Sequence, residues 1–479
     1  MEIQETATQT LASFVAGATF DRLPREVVHE TKRILLDILG CALGSVELDK
    51  GRIAIDMARE VGGRREATIL GTGDKVAAPL AAFANAELMH ALDYCPLLPP
   101  NHITALVTPA PLALAEARGS SGKELILAIA LAHEVASRVG LSLAGLRAGK
   151  DGHVAATWGL GFDQFGATAG AAKILQLDSG KMADALGLAG YFAPVPSHNK
   201  FLLTGHGGGL AKYGPAGWTA QGGVQTAVLA AMGYRGDRSV LDGENGFWAM
   251  TGSPTSDLQK VTARLGEEWN ILRVTYKAWP CCGVFQSPLG AFTKLIDDHH
   301  LEPEEIQTVV IQNEGHGGLP RFVYPELEHH VDAQTNLAYN IALAAYRVEV
   351  SAAWQRERNL RDPAVRAFMK KVTIEPYPLA DEMRHRELVV ERKPYIERRP
   401  CSVQVLARGE RFTQTVEYAK WLAIENEQFR ATDDDLARKF RANAAGTLQP
   451  RQLEVAIDRI MGLENLAVSQ LFEALIPAQ

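Results

Sequence analysis

The sequence predicts a mainly α-helical protein with a smaller α+β domain, and three observations carry that prediction. From 77 to 232 the chain is rich in Ala and Leu, punctuated by Gly and poor in β-branched residues, a texture that favours helix by propensity. Short β-branched runs cluster only after Asn270, at Ile306–Ile311, Val372–Ile374 and Cys401–Leu406. At 479 residues the chain is longer than one core usually serves, so about two domains are expected. The texture sets the expected boundaries: an all-helical core domain over 1–268, an α+β lid domain over 269–424, and C-terminal helices over 425–479 that return to the helical domain.

Residues 7–44 read as two helices. Leu11, Phe14 and Val15 form one apolar stripe; after Asp21, with Pro24 suited to a first turn, Val27, Val28, Thr31, Ile34, Leu35 and Ile38 form the next. Gly40 and Gly44 permit close packing or a C-terminal cap. The most apolar run, Leu125–Ala132, falls short of the ~20 residues a membrane span needs and is expected to be a buried helix closed by His133-Glu134. Cys401–Leu406, the tetrapeptide Ala407-Arg408-Gly409-Glu410 and a further run to Val416 predict an antiparallel hairpin, with a helical stretch over 334–346 beside or between the strands. Thr432 before Asp433-Asp434-Asp435 is an N-cap with an acidic first turn for a helix through Phe440, and 453–461 and 466–471 are helical again.

A net charge of −7 and a pI near 6.0 give no footprint for nucleic acid or anionic membrane, so an anionic ligand must be held by local positive charge. The N-terminus has neither the basic nor the apolar segment of a secretory signal, and a cytoplasmic protein is expected. Five cysteines, two adjacent and none in a CxxC, form neither a disulfide framework nor a zinc site.

The 151–217 stretch carries His153, His206 and Lys212 among many Gly and Ala and few acidic groups, and reads as the lining of an anion pocket. Its run Gly205-His206-Gly207-Gly208-Gly209-Leu210-Ala211-Lys212 is not a nucleotide loop, because Ala211 and Tyr213 stand where a Walker motif needs Gly and Ser or Thr. The glycines either let backbone amides approach a ligand or form a flexible turn, and Lys212 favours the ligand. Asp297-Asp298-His299-His300 and Glu328-His329-His330-Val331-Asp332 have metal-ligand residue types without ligand spacing and read as solvated loops. His133-Glu134 reads as a buried, hydrogen-bonded pair rather than a site. Cys281-Cys282 lacks an adjacent activating group, which disfavours a nucleophile. His90, Asp93, His102 and Lys277, each more often structural when taken singly, gain weight because Lys277 precedes a Pro-Cys-Cys turn at the expected domain junction, a usual place for a pocket.

These pieces, in this order, resemble the MmgE/PrpD family: the segment Leu36–Gly44, His90-Ala91-Leu92-Asp93, Gly152-His153, Lys212 with Ala216-Gly217, Tyr276-Lys277 with Pro280-Cys281-Cys282, and 436–440. The resemblance implies a large helical domain with a smaller α+β lid and a C-terminal return, a homodimer, no metal, flavin or nicotinamide cofactor, and chemistry on small di- or tricarboxylates: dehydration, decarboxylation or epimerisation. It implies catalytic positions at Asp93, His102, His153, Lys212 and Lys277. His90, Tyr94, His206 and Gln286 are expected to contact substrate.

Three segments depart from the family's usual pattern. Where the family continues with Asp-Asp-Thr, this chain has Cys95-Pro96-Leu97-Leu98-Pro99-Pro100, apolar and rigid; Gly214-Pro215-Ala216-Gly217 replaces Leu-His-Ala-Gly, and Phe285-Gln286 replaces Thr-His. All three family reactions create and discharge negative charge on carbon beside a carboxylate. The two lysines are suited to bind carboxylates and stabilise an enolate, the histidines to move a proton, and Asp93 to orient or tune one of them. A cofactor-independent lyase is the leading expectation, with an epimerase or racemase second and a non-catalytic carboxylate-binding relative third.

Overall fold

The computed structural model describes residues 5–478 except 145, 149–153, 157–160, 196, 204–208, 213, 215, 316–318 and 323. His153 and His206 therefore lie outside the described residues.

The N-terminal half is a packed assembly of helices built where the apolar stripes predict them. Ala7–Gly17 begins at a Thr6 capping box and buries Leu11 and Val15, and Arg25–Gly44 follows with Pro24 as its N-cap residue rather than inside the first turn. Gly40 serves close packing, not capping: a Cβ there would sit 3.0 Å from the Phe440 Cα, so the Asp433–Ala444 helix lies directly on this face. Gly40→Leu should destabilise the fold by about 1–3 kcal/mol through overpacking, seen as a lower urea midpoint. An unchanged midpoint would show that the two helices part easily.

The apolar run at 125–132 belongs to a 21-residue helix, Gly122–Ser142. It is longer than the run alone suggests and, among the described helices, the one long and apolar enough to cross a membrane; 94% of that apolar window is buried in the protein interior. His133 and Glu134 stand in its middle instead of closing it. Both are buried: His133 Nδ1 lies 2.8 Å from the Ile129 carbonyl while its Nε2 meets no hydrogen-bond partner among the described residues, and Glu134 accepts from Arg138 Nε at 2.6 Å and from the Asn270 amide at 2.7 Å. Backbone and side-chain partners account for Glu134.

The first half is not wholly helical. Two short ribbons interrupt it, β1 (Ala67–Thr68) with β2 (Lys75–Val76), and β3 (Leu146–Ala148) with β4 (Val154–Ala156), both antiparallel. Neither carries the β-branched alternation that would reveal a strand in sequence.

The later β-branched runs assemble into one four-stranded sheet of β5 (Ile306–Asn313), β6 (Val372–Pro376), β7 (Cys401–Ala407) and β8 (Glu410–Val416), in the order β6-β5-β7-β8. β7 and β8 form the predicted hairpin, with Ala407 opposite Glu410; the two turn residues Arg408 and Gly409 have φ of 54° and 76°, the left-handed region a two-residue hairpin needs. β5 pairs parallel with β6 across a helical crossover and antiparallel with β7, so the sheet is mixed. The predicted helical stretch beside the strands forms as His330–Gln334 and Leu337–Ala345. After the sheet, Thr432 makes its capping box with Asp435, and Lys439 on that helix pairs with Asp37 of Arg25–Gly44 at 2.7 Å, both side chains buried. Pro450–Met461 and Val468–Leu475 complete the chain, the last starting two residues later than predicted.

Candidate active site

Asp93 occupies a tight turn directly after the Ala78–His90 helix, with φ of 51°, a conformation that Asp tolerates better than most side chains. Four consecutive carbonyls of this turn each receive a buried side-chain donor from elsewhere in the chain. Gln334 Nε2 donates to the Ala91 oxygen at 2.5 Å and Gln355 Nε2 to the Leu92 oxygen at 2.6 Å. Lys277 Nζ donates to the Asp93 oxygen and Lys439 Nζ to the Tyr94 oxygen, each at 2.7 Å. Two of these donors also grip the loop that carries Lys277, since Gln355 reaches the Pro280 oxygen at 2.8 Å and Lys439 the Lys277 oxygen at 3.1 Å. A strained turn persists when its surroundings over-determine it, and four cross-chain donors do that here.

The turn presents its carboxylate to two ammonium groups. Asp93 Oδ1 lies 2.7 Å from Lys277 Nζ and 2.8 Å from Lys212 Nζ, while His102 Nδ1 stands 3.8 Å away, beyond hydrogen-bond distance. Burial alone would raise the Asp93 carboxyl, but the fields of Lys212 and Lys277 outweigh it and hold the group well below the usual carboxylate range. Burial lowers the Lys277 ammonium and Asp93 raises it, with Asp93 prevailing. At Lys212 burial prevails over Asp93, aided by the repulsion of Lys277, and the group is pushed down to about 8. His102 is lowered well below its ordinary value by burial and by Lys277, against the opposing pull of Asp93, so its imidazole is neutral near pH 7.

Asp93, His102 and Lys212 line a cavity of about 280 Å³ where the helical part meets the segment before β7. His198 joins them from the short helix His198–Leu202, lowered to about 4 by burial and by Lys212. Arg384 and Arg399 line the cavity from the sheet-bearing part, Arg399 donating to Glu314 at 2.6 Å.

Of the nine site residues expected from sequence, the structure brings Asp93, His102, Lys212 and Lys277 together and places three others behind them. Lys277 is fully buried and does not line the cavity; its ammonium is turned onto Asp93, so it supports that carboxylate instead of meeting a ligand. His90 is buried one layer back, its ring 6.0 Å from that of His102 and its Nδ1 3.5 Å from Lys50 Nζ. Tyr94 and Gln286 are corrections to the expected substrate contacts, because neither lines the cavity and their polar atoms serve the backbone. Tyr94 donates to the Ala278 oxygen at 2.9 Å, and Gln286 Oε1 accepts from the Ala278 and Trp279 amides at 2.9 and 3.0 Å. Both therefore shape the Lys277 loop.

Cys281 and Cys282 are not activated: burial raises both thiols, and only Cys282 touches the cavity. Asp297–His300 is exposed as expected, whereas His330 and Asp332 are buried, Asp332 accepting from Arg321 at 2.7 Å, so the second histidine-rich run is not a solvated loop throughout. Among the described residues no group of three or more His, Cys, Asp or Glu is placed to hold a metal ion. His198, Arg384, Arg399, Gln334 and Gln355 were not singled out in sequence. They sit in ordinary-looking local contexts, and Lys439 alone falls in a segment, 436–440, that contributed to the family resemblance.

Known proteins bear the same organisation. Residues 9–258 match the MmgE/PrpD N-terminal domain and residues 279–463 the MmgE/PrpD C-terminal domain, a two-domain architecture spanning most of the chain. A cis-aconitate decarboxylase of Homo sapiens is 25% identical over 490 residues, covering 96% of this chain and 92% of that protein. One of Mus musculus is 24% identical over 489 residues, covering 96% and 91%, and one of Aspergillus terreus is 28% identical over 306 residues, 60% of each chain. The chain belongs to the MmgE/PrpD family.

Proposed function

We propose that this protein is a lyase that removes a carboxyl group as CO₂ from a small unsaturated di- or tricarboxylate, without a cofactor. The observation that carries this reading is the charge balance of the cavity. Among the described residues that line it or bond directly to its charged lining, four cations, Lys212, Lys277, Arg384 and Arg399, face two carboxylates, Asp93 and Glu314, with the histidines neutral. The excess of two positive charges suits a dianion, and the relatives named as cis-aconitate decarboxylases support decarboxylation of a small unsaturated polycarboxylate, theirs carrying one carboxylate more.

In the reaction, Lys212 and Arg384 hold the carboxylates. The C–C bond to the departing carboxylate breaks, its electron pair passes into an enolate-like anion on the remaining skeleton, and CO₂ leaves. A proton then reaches carbon. Lys212 is the group suited to stabilise that anion and return the proton, since its ammonium sits on the cavity wall and titrates close to neutrality. Neutral His102 is suited to relay it. Lys277 stays charged and keeps Asp93 ionised and aimed at Lys212. Leu97 and Leu98 line the wall where a dehydratase would profit from a hydroxyl or acid at the leaving oxygen, and their side chains offer neither.

The protonated form of Lys212 is the working one in this scheme, so kcat/KM should fall as pH rises through about 8. A pH profile of kcat/KM flat from 7 to 9.5 would remove Lys212 from that role.

One observation favours a second reading. Lys212 and His102 both flank Asp93 on the cavity, and two such groups are what an epimerase needs to remove a proton from one face and return it to the other. Proton NMR in D₂O with 2-methylcitrate, cis-aconitate and iminodisuccinate separates the two. Released CO₂ or a new alkene is expected. Deuterium entering at a stereocentre with inversion and an unchanged skeleton would overturn the lyase assignment.

A further inference from the structure

Two sides of the cavity differ in chemistry. The charged lining, Asp93, His102 and Lys212, comes from the helical part, whereas much of the rest is aliphatic or aromatic: Leu97, Phe322, Leu388, Ile396, Leu422 and Ile424. Four of these six lie between 388 and 424, in the chain around β7 and β8. A third carboxylate packed on that wall would exchange water for hydrocarbon and keep its charge, an exchange that costs far more than it returns without a paired donor. Among the described lining residues on that side, Arg384 serves one of two carboxylates, Arg399 is engaged with Glu314, and the Tyr395 hydroxyl donates to Glu425 at 2.6 Å, a carboxylate already paired with Lys393. The charge excess of two is likewise matched by two carboxylates.

Resting on the reading of this site as a carboxylate pocket, we propose that the substrate is a dicarboxylate carrying an apolar substituent of a few carbons, the carboxylates held by Lys212 and Arg384 and the hydrocarbon seated on the Leu388, Ile396, Leu422 and Ile424 wall. The cavity thereby discriminates against a tricarboxylate of similar size. It selects at the substituent, where each buried methylene gains roughly 0.8 kcal/mol, about three- to fourfold in affinity.

Isothermal titration of the full-length protein with succinate, 2-methylsuccinate, 2-butylsuccinate and tricarballylate tests this. Succinate should bind, the dissociation constant should fall by about three- to fourfold per added methylene, and 2-butylsuccinate should bind more tightly than tricarballylate. Ile396→Asn and Ile424→Asn should each erase most of the butyl gain while leaving the succinate constant within about twofold; two positions on one wall guard against either variant failing to fold. If succinate binds but the butyl group adds nothing, or tricarballylate binds tighter, the inference is overturned and the carboxylate pocket stands. If none of the four binds, the carboxylate pocket falls with it.

Discussion

Lys212→Met is expected to lower kcat/KM by at least about 10²-fold, because it removes a charge donor aimed at developing negative charge in a buried cavity. The same substitution should leave the urea midpoint close to the parent's, because the buried ammonium opposes folding while its field is the largest of those that keep the buried Asp93 carboxylate ionised. The ammonium titrates at about 8 in the folded chain, below its ordinary value of 10.5, so the unfolded chain binds this proton more tightly. Below pH 8 the buried charge therefore opposes folding, and the opposition fades as pH rises from 8 towards 10.5. Methionine keeps most of the stem's volume and removes the charge, while Asp93 retains both contacts with Lys277. A site residue whose loss is near neutral for folding and costly for turnover separates the two measurements cleanly. Near-normal kcat/KM in a well-folded Lys212→Met protein would reduce this lysine to a structural ion-pair partner.

Lys277→Ala is expected to act on both measurements at once. From sequence, both lysines are suited to bind a substrate carboxylate; in the structure Lys277 is wholly buried and neutralises a buried carboxylate of the protein itself. Removing one partner of such a pair leaves an uncompensated charge and costs about 3–5 kcal/mol, here towards the lower end because Lys212 remains beside Asp93. Asp93 Oδ1 and its main-chain oxygen lose the same donor, so the turn itself loosens. Turnover should fall by at least about 10²-fold as Asp93 and Lys212 drift from register. Urea unfolding and single-turnover rates measured on one preparation check this, and a variant as stable as the parent would show that the Asp93 turn does not depend on Lys277.

Much of the secondary structure was legible in the chain. Periodic apolar stripes placed Ala7–Gly17 and Arg25–Gly44, the Thr432 cap began the Asp433–Ala444 helix, and the β-branched runs at 306, 372 and 401 became strands of one sheet. These signals are local: each depends on residues within one or two turns or on strict alternation. The β1–β2 and β3–β4 ribbons escaped because two- and three-residue strands are too short to carry a period.

The site was half legible for a related reason. Residue type and the family resemblance singled out Asp93, His102, Lys212 and Lys277, and the fold brings these four side chains together. What each one does was decided by the tertiary structure. Lys212 and Lys277 are alike as residues, and burial with Asp93 raises one and lowers the other because their depths and neighbours differ. Gln286 reads as a candidate ligand group in sequence and is spent on two backbone amides in the fold. The four donors on the Ala91–Tyr94 carbonyls come from positions 277, 334, 355 and 439, separated from the turn by more than a hundred residues of chain. Sequence determined which helices, strands and ionisable groups this protein has; only the packed structure decided which groups face the cavity and which face the backbone, because hydrogen-bond partnership and desolvation are properties of distance in space, not of spacing along the chain.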